Sequence, residues 1–501
     1  MSNIKKLAGQ TLWYGVSAIG ARFIGYLLTP VLTYSDNITI ADFGKMGLIY
    51  SLIPVLNAVF TYGFETAYFR FASKDQYKNS LYNTAFLSLV FSTLVFTCIL
   101  WQFQGALASF AGLTDLPELV HLAIFLIALD ALSTIPFARL RQQERPKKYA
   151  FIKTAGVILH LSLSWFFVNT CHDIVAKHPN HPLSLIYDIN KNPIYYVVLA
   201  NLIQAIFTFV LLGKELSEIR LRINPSLWKE MLVYSLPLLI VNLGGIVNET
   251  FDRIMLRAWV PGSVVFKDQQ VGIYNACYKL SILITLFVQA FKMGAEPFFF
   301  KQAEGQSPQR TYARVMKFFV IVLTFMFLVI TLFMPIWQIM IHPKYRSGLS
   351  VVPILVFANI FLGIYYNLSI WYKLSNKTLA GTYITFIGVG VTLVINYLFI
   401  PHFGYIASAW ATFLCYGTMM VVSYRWGQKA YPVPYAWKKL VAFMVIVAVF
   451  YFIHLGLTRL WHNTVFSLAV GAVLVLVYGR FLLLVEKKEF QKLPVVGKFI
   501  K

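Results

Sequence analysis

Long apolar runs recur at nearly regular spacing along the whole 501-residue chain, and they limit what it can fold into. Each run has the roughly 20 residues that an α-helix needs to cross a bilayer. Because lipid offers no hydrogen-bonding partners, a spanning segment must be a helix or part of a closed barrel. The runs lack the alternation of a barrel strand. The sequence therefore predicts an all-α integral membrane protein with about 14 transmembrane helices.

The predicted helices share a high apolar content and are separated by short polar connections. They lie at residues 7–33, 43–69, 80–103, 117–139, 150–170, 193–213, 229–251, 271–297, 314–338, 349–372, 378–400, 403–423, 438–458 and 465–485. Only 13% of the residues are charged, whereas soluble proteins carry about 25%. The composition therefore agrees with a membrane protein.

Lysine and arginine are concentrated in alternate connections between the predicted helices. Examples are the segments 139–148 and 214–229 and the tail from Lys487 onward. Basic residues collect in cytoplasmic loops of membrane proteins, so we expect both termini to be cytoplasmic. The net charge of +23 then reflects topology, and we expect no nucleic-acid partner.

The two halves of the chain contain a similar pattern. Gly44 and Tyr50 of the second predicted helix have the same spacing as Gly272 and Tyr278 of the eighth. Repeated lobes around a central cavity are the usual build of secondary transporters. We therefore predict two six-helix lobes, at residues 1–213 and 229–430, joined by a cytoplasmic connection at 214–228. Residues 431–501 would add helices 13 and 14 and a basic tail.

Charged residues within the apolar runs are the candidate site residues, because charge inside a membrane costs from about 2.5 to more than 10 kcal/mol. We expect a basic cavity wall that receives an anionic headgroup, formed by Arg22, Lys279, Lys292 and Arg253. Two acidic residues, Glu65 and Asp130, are candidates for coupling to a proton or cation. Fixed ion pairs, such as Arg22 with Glu65, are the structural alternative.

Motifs of the main enzyme classes are absent from the sequence. There is no phosphate-binding loop, nucleophile elbow or paired metal-ligand spacing. The largest predicted outside loop, residues 171–192, contains three histidines without an accompanying carboxylate or cysteine pattern. We therefore expect a solvated loop, no metal or cofactor, and a transporter rather than an enzyme.

Several segments carry a resemblance to a known family. They include Tyr62–Arg70 (YGFETAYFR), Arg139–Ala150 (RLRQQERPKKYA), Tyr234–Pro237 (YSLP) and Gly272–Lys279 (GIYNACYK), together with residues 9–30 and 289–297. In order and spacing they resemble the polysaccharide-transporter (O-antigen flippase) family of the multidrug/oligosaccharidyl-lipid/polysaccharide exporter superfamily. Lipid II flippases of that superfamily have more arginines in the first helix than the single Arg22 of this chain.

The resemblance implies a flippase in the bacterial inner membrane. Such a protein moves undecaprenyl-pyrophosphate-linked oligosaccharide from the cytoplasmic to the periplasmic leaflet by alternating access, for surface polysaccharides such as the O-antigen of lipopolysaccharide. The expected partners are this lipid-linked substrate, the bilayer and membrane proteins of polysaccharide assembly. The resemblance carries Arg22 and Lys279 over as cavity residues.

Two other classes of function remain open from the sequence. A drug or cation antiporter of the same superfamily should use buried carboxylates in place of Arg22 and Lys279. A polytopic membrane enzyme, such as a polysaccharide polymerase or ligase, generally needs a large outside loop with catalytic groups.

Overall fold

The computed structural model describes residues 20, 23–72, 74–77, 79–302, 307–375 and 377–491. Within these ranges the chain is helical and contains no β-strand. Thirteen helices are long and apolar enough to cross a membrane, and a shorter apolar helix covers Phe23–Thr33. The predicted all-α membrane fold with about 14 helices is therefore confirmed.

The helices that correspond to the predicted spans are numbered α1 to α14, and shorter ones are named by their residues. Their bounds are α1 Leu28–Thr33, α2 Ile40–Thr61, α3 Leu81–Gln102, α4 Pro117–Gln142, α5 Pro146–Trp165, α6 Pro193–Leu211, α7 Pro225–Thr250, α8 Val264–Gln302, α9 Pro308–Leu332, α10 Val351–Leu368, α11 Leu379–Phe403, α12 Tyr405–Ala430, α13 Trp437–Leu460 and α14 Thr464–Val485.

Local sequence explains where many of these helices begin. Five of them have proline in the first turn, where its missing N–H is not needed. The side chains of Asn192, Asn224 and Asn463 accept backbone N–H groups at the starts of α6, α7 and α14. At α2, Thr39 and Asp42 form a capping box. These caps satisfy N–H groups that a helix start leaves without partners.

The second predicted helix differs from the expectation, because it is broken rather than continuous over 43–69. Tyr62 and Gly63 both have positive φ angles, of 33° and 74°, and a separate helix follows at Phe64–Ala72. The Tyr62 hydroxyl lies 2.6 Å from the Ser88 hydroxyl oxygen, which also accepts a hydrogen bond from the Trp228 indole at 2.8 Å. These contacts hold a tyrosine in a conformation that side chains normally disfavour.

The chain divides into two compact units. The first comprises Met1–Ala276, Ile341–Ser347 and Thr385–Ala411, and the second comprises Cys277–Met340, Gly348–Ile384 and Thr412–Lys501. In the first unit α4 packs on α2, α3 and α6. In the second unit α9 packs on α10, α13 and α14. The six-helix lobes inferred from the internal repeat remain a prediction.

Within the first unit, α2 and α8 cross at the two glycines that the repeat pairs. A Cβ on Gly44 would lie 2.0 Å from the carbonyl oxygen of Asp268, four residues before Gly272. A Cβ on Gly272 would lie 2.1 Å from the carbonyl oxygen of Ile40, four residues before Gly44. The contact is thus reciprocal between equivalent positions. Only glycine permits this approach of the two backbones.

In the second unit a buried carboxylate ties three helices together. Glu486, just after α14 and 3% exposed, accepts hydrogen bonds from Lys317 of α9 at 2.6 Å and from Lys439 of α13 at 3.0 Å. Burial alone would raise the pKa of Glu486, but the hydrogen bonds and charges of the two lysines lower it below its usual value. The carboxylate therefore stays charged and holds these helix ends together.

Candidate functional site

Glu65 lies in the first turn of the helix that follows the break after α2. Arg141, near the end of α4, forms an ion pair with it. The Arg141 guanidinium also stacks over the ring of Phe69 at 4.7 Å from the ring centroid. All three side chains are partly exposed. The structure thus gives Glu65 a basic partner on a different helix from the predicted Arg22, which lies outside the described residues.

Asp130 is half-buried at the middle of α4, and it interacts electrostatically with Lys153 of α5 and with Tyr50 of α2. Among the described residues, no cation lies within ion-pairing distance of the Asp130 carboxylate. The Lys153 ammonium is 4.2 Å from the centroid of the Phe137 ring. Asp130 therefore differs from Glu65 in having only a more distant compensating charge.

Arg253 belongs to a compact buried group at the end of α7. Its guanidinium is 2.9 Å from Asp252 Oδ1 and donates a hydrogen bond to the carbonyl oxygen of Glu249 at 3.1 Å. The hydroxyl of the fully buried Tyr274 donates to the other oxygen of Asp252. Arg257 is similarly paired with Asp268. Ion pairing thus accounts for much of the charge of Arg253 inside the first unit.

Lys279 and Lys292 both lie on α8, in the second unit. Lys279 is half-buried, whereas Lys292 is exposed. The Lys292 ammonium sits 4.2 Å from the centroid of the Tyr366 ring of α10. Lys292 also lines a small pocket of about 20 Å³ together with Tyr366, Asn367 and Lys373. Two basic side chains therefore converge on one opening, which we name the Lys292 pocket.

Asn367 is the most unusual member of the Lys292 pocket. It is 2% exposed, yet neither its amide nitrogen nor its amide oxygen has a hydrogen-bond partner among the described residues. A buried polar group without a partner costs about 1–3 kcal/mol. The pocket of about 20 Å³ has room for about one water or one polar group of a ligand next to this amide.

A second, apolar pocket lies elsewhere in the second unit. Its volume is about 160 Å³. Its walls come from α9, α10, α12 and α13 and from Tyr435, which precedes α13, and they consist of apolar and aromatic side chains. Its lining includes Met316, Ile364, Leu368, Val421 and Leu440. Such a pocket can accept a hydrocarbon chain but no charged group.

Several residues of these sites are not identified by sequence reasoning. Lys153 lies near the start of α5, where it resembles one more interfacial cation. From its sequence position, Lys373 is predicted to lie in a basic loop. Asn367 is uncharged, so the search for charges within apolar runs does not select it. The available signal is the polar cluster Tyr365-Tyr366-Asn367 inside a mostly apolar helix. Among the described residues, no group of three His, Cys, Asp or Glu is placed to hold a metal ion.

Comparison with solved structures places this fold among membrane transporters. The chain is similar to the lipid II flippase MurJ in an inward closed conformation, with a TM-score of 0.67 and 11% identity, over 94% of this chain and 98% of that one. It is also similar to an inward-facing MATE family multidrug resistance transporter of the MOP superfamily, with a TM-score of 0.63 and 12% identity over 86% and 95%. At these identities the comparison shows the fold that the chain shares with these two solved membrane proteins.

The sequence of the chain was compared with curated proteins and with models of protein families. None of the curated proteins matches the chain. A family model described as "polysaccharide biosynthesis protein" matches residues 7–302, which is more than half of the 501 residues. The chain belongs to the polysaccharide biosynthesis protein family.

Proposed function

We propose that the protein is a flippase for undecaprenyl-pyrophosphate-linked oligosaccharide. It moves the headgroup from the cytoplasmic to the periplasmic leaflet of the bacterial inner membrane by alternating access, with both termini in the cytoplasm. The family membership supports a role in polysaccharide biosynthesis. The similarity to MurJ and MATE transporters supports a fold that can carry cargo across a bilayer.

The observation that carries this proposal is the Lys292 pocket. Lys292 and Lys373 supply positive charge for a phosphate, and the Asn367 amide supplies one donor group and one acceptor for a sugar or phosphate oxygen. Lys279 lies about 20 Å earlier along α8 and on a different face of the helix, so it would be a separate contact that the headgroup meets at another stage of its passage.

The two arginines of the predicted cavity wall differ in what is known of their surroundings. Arg253 would contribute less to headgroup binding, because Asp252 already balances its charge. Arg22, which falls outside the described residues, stays a predicted contact of the diphosphate on the strength of its sequence position alone.

The hydrocarbon tail needs a different environment from the headgroup. A polyprenyl chain can stay in lipid or enter the apolar pocket of about 160 Å³ in the second unit. Burying apolar surface is worth about 25 cal/mol per Å², so even partial entry of the tail would add affinity without adding charge.

Glu65 and Asp130 are the proposed coupling residues for a proton or cation. Asp130 is the stronger candidate, since Glu65 is already neutralised by Arg141. A carboxylate that lacks an ion-pair partner within the membrane can exchange a proton or cation at lower cost than a paired one. Asp130 is also the feature that favours the alternative function, antiport of drugs or organic cations.

The direct test is translocation of a fluorescent polyprenyl-diphosphate oligosaccharide in proteoliposomes. We expect Lys292→Ala and Lys279→Ala each to lower the rate by roughly 10- to 100-fold, because a hydrogen bond to a charged group contributes about 1.5–3 kcal/mol. Lys429→Ala, which removes an exposed lysine at the end of α12, is the matched control and should leave the rate unchanged.

Two outcomes would contradict the proposal. Wild-type rates in both Lys292→Ala and Lys279→Ala would exclude headgroup binding by α8. Transport of organic cations that depends on Asp130, without transport of the lipid-linked sugar, would favour the antiporter.

A further inference from the structure

A large polar pocket lies in the first unit. Its volume is about 900 Å³. It is lined by residues before and at the start of α3, by α4, and by the connection between α6 and α7, and its lining includes Asn83, Arg139, Glu218, Arg220, Arg222 and Asn224. We name it the connection pocket. It faces the side of the membrane that the basic loops predict to be cytoplasmic.

Positive charge exceeds negative charge in the connection pocket. Its acidic lining residue, Glu218, is already paired with Arg139, which also stacks over the Tyr82 ring at 4.0 Å. Arg220 and Arg222 are exposed, and neither has an acidic partner within ion-pairing distance in the described part of the chain. Two guanidinium groups are therefore available to an anion.

The backbone that carries these arginines is held in place. The Asn83 side chain accepts a hydrogen bond from the backbone N–H of Arg220 at 2.9 Å, and Thr84 accepts one from the N–H of Asn224 at 3.0 Å. Both acceptors lie in the first turns of α3. The connection is thus fixed against the start of this helix, so that the arginines need little ordering on binding.

Two long helices begin at the connection pocket. Ser80 precedes α3 without capping it by its side chain, and Asn224 precedes α7. The start of a helix carries a partial positive charge and N–H groups that favour anions. These helix starts add to the field of Arg220 and Arg222, and together they favour a phosphate over a neutral ligand.

Ile223 lines the same pocket, and two further apolar residues, Leu221 and Trp228, are close to it in the sequence. In the sequence Arg220-Leu221-Arg222-Ile223, the arginines alternate with side chains that are 89% and 53% exposed. Trp228, on the first turn of α7, is 38% exposed. Tryptophan and exposed aliphatic residues next to arginine are typical of a membrane interface. A soluble anion would make no use of them, whereas a lipid would.

We propose that the connection pocket binds the phosphate headgroup of an anionic phospholipid from the surrounding leaflet. Arg220 and Arg222 contact the phosphate, the helix starts of α3 and α7 favour its charge, and Leu221 and Ile223 contact the glycerol and acyl region. The bound lipid fixes the connection between the two predicted lobes to the membrane. This site is independent of the flippase substrate.

The test measures how phosphatidylglycerol stabilises the purified full-length protein against heat in phosphatidylcholine micelles. The rise of Tm with lipid concentration gives the affinity. We expect Arg220→Gln/Arg222→Gln to bind phosphatidylglycerol roughly 30-fold more weakly, the effect of two charges at a membrane surface. Arg220→Lys/Arg222→Lys keeps the charge and should keep most of the affinity.

The control variant Arg310→Gln/Arg425→Gln removes two exposed arginines, one at the start of α9 and one near the end of α12, and should bind phosphatidylglycerol like the wild type. If both glutamine variants bound phosphatidylglycerol equally more weakly, the lipid would respond to the overall positive charge of the protein, and the proposed site would be wrong. If soluble pyrophosphate displaced the lipid at similar concentration, the pocket would be a soluble-anion site. Both glutamine variants should have the wild-type Tm without phosphatidylglycerol, because none of the four arginines has an acidic partner among the residues that the structure describes.

Discussion

Asn367 allows stability and function to be separated at a single residue. Its buried amide lacks partners among the described residues, so it costs stability in the structure as it stands. Asn359, two turns earlier on α10, is equally buried, but its amide nitrogen donates to the carbonyl oxygen of Leu355 at 2.8 Å. On the same helix, the buried amide of Asn359 thus makes a hydrogen bond, whereas that of Asn367 makes none among the described residues.

We predict that Asn367→Leu raises stability while it lowers transport. Leucine has a similar shape, so removing two unsatisfied polar atoms should stabilise the protein by about 1–3 kcal/mol. The same change removes the proposed ligand contacts and should reduce oligosaccharide translocation. Thermal unfolding and proteoliposome transport measure the two effects. Asn359→Leu is the control: it removes an existing hydrogen bond and should not stabilise the protein. Undiminished transport by Asn367→Leu would contradict the proposed role of the amide in ligand binding.

Charge is the main site signal that the sequence offers, and this limits what can be predicted at the residue scale. Lys292 is identifiable because a lysine inside an apolar run is costly. The same rule also selects Arg253, which the structure places beside Asp252. A charge pattern does not say whether a partner is present, because partners come from other helices. Neutral residues such as Asn367 give no comparable signal.

The helices themselves can be predicted closely from the sequence, because the bilayer requires about 20 apolar residues in each one. The break at Tyr62-Gly63 cannot. Its cause is tertiary, namely the packing of Tyr62 against Ser88 and the approach of Gly63 to α7, where a Cβ would be 3.2 Å from the Ser235 carbonyl oxygen. A single glycine within an apolar run is otherwise common in membrane helices.

The crossing of α2 and α8 leads to a prediction at the scale of elements. Gly44→Ala or Gly272→Ala would place a methyl group against a backbone carbonyl, which cannot rotate away, so the helices must separate. We expect each variant to lose about 1–3 kcal/mol of stability, as overpacked sites do. Because the crossing is reciprocal, the double variant should lose less than the sum of the two. Thermal unfolding of the three variants measures this.

Gly245→Ala on α7 is the control for glycine loss, because nothing lies within 4 Å of its added Cβ. Alanine is the better helix former by up to about 1 kcal/mol, so this variant should be neutral or slightly more stable. Wild-type stability in both Gly44→Ala and Gly272→Ala would show that α2 and α8 do not touch in the protein's main conformation.

At the scale of the whole molecule, the charge of the cargo decides what drives transport. Moving one elementary charge across a membrane potential of 100 mV changes its free energy by about 2.3 kcal/mol. The proposed diphosphate headgroup carries about two negative charges, so a negative interior favours its outward movement. The charges of this chain that would bind the proposed headgroup return to their starting positions in each cycle. They therefore contribute no net driving force, which must come from the potential or from a coupled ion.

We predict that the outside-to-inside ratio of the flipped headgroup rises with an inside-negative potential set by potassium and valinomycin. For two charges moved without a coupled ion, the ratio should change tenfold for about every 30 mV. Inward movement of a cation through Asp130 would steepen this dependence, and Asp130→Asn would then restore the shallower slope while leaving headgroup binding intact. Glu65→Gln should leave the slope unchanged, since Arg141 already neutralises Glu65. A ratio that does not respond to potential would mean that the headgroup does not cross as an uncompensated anion.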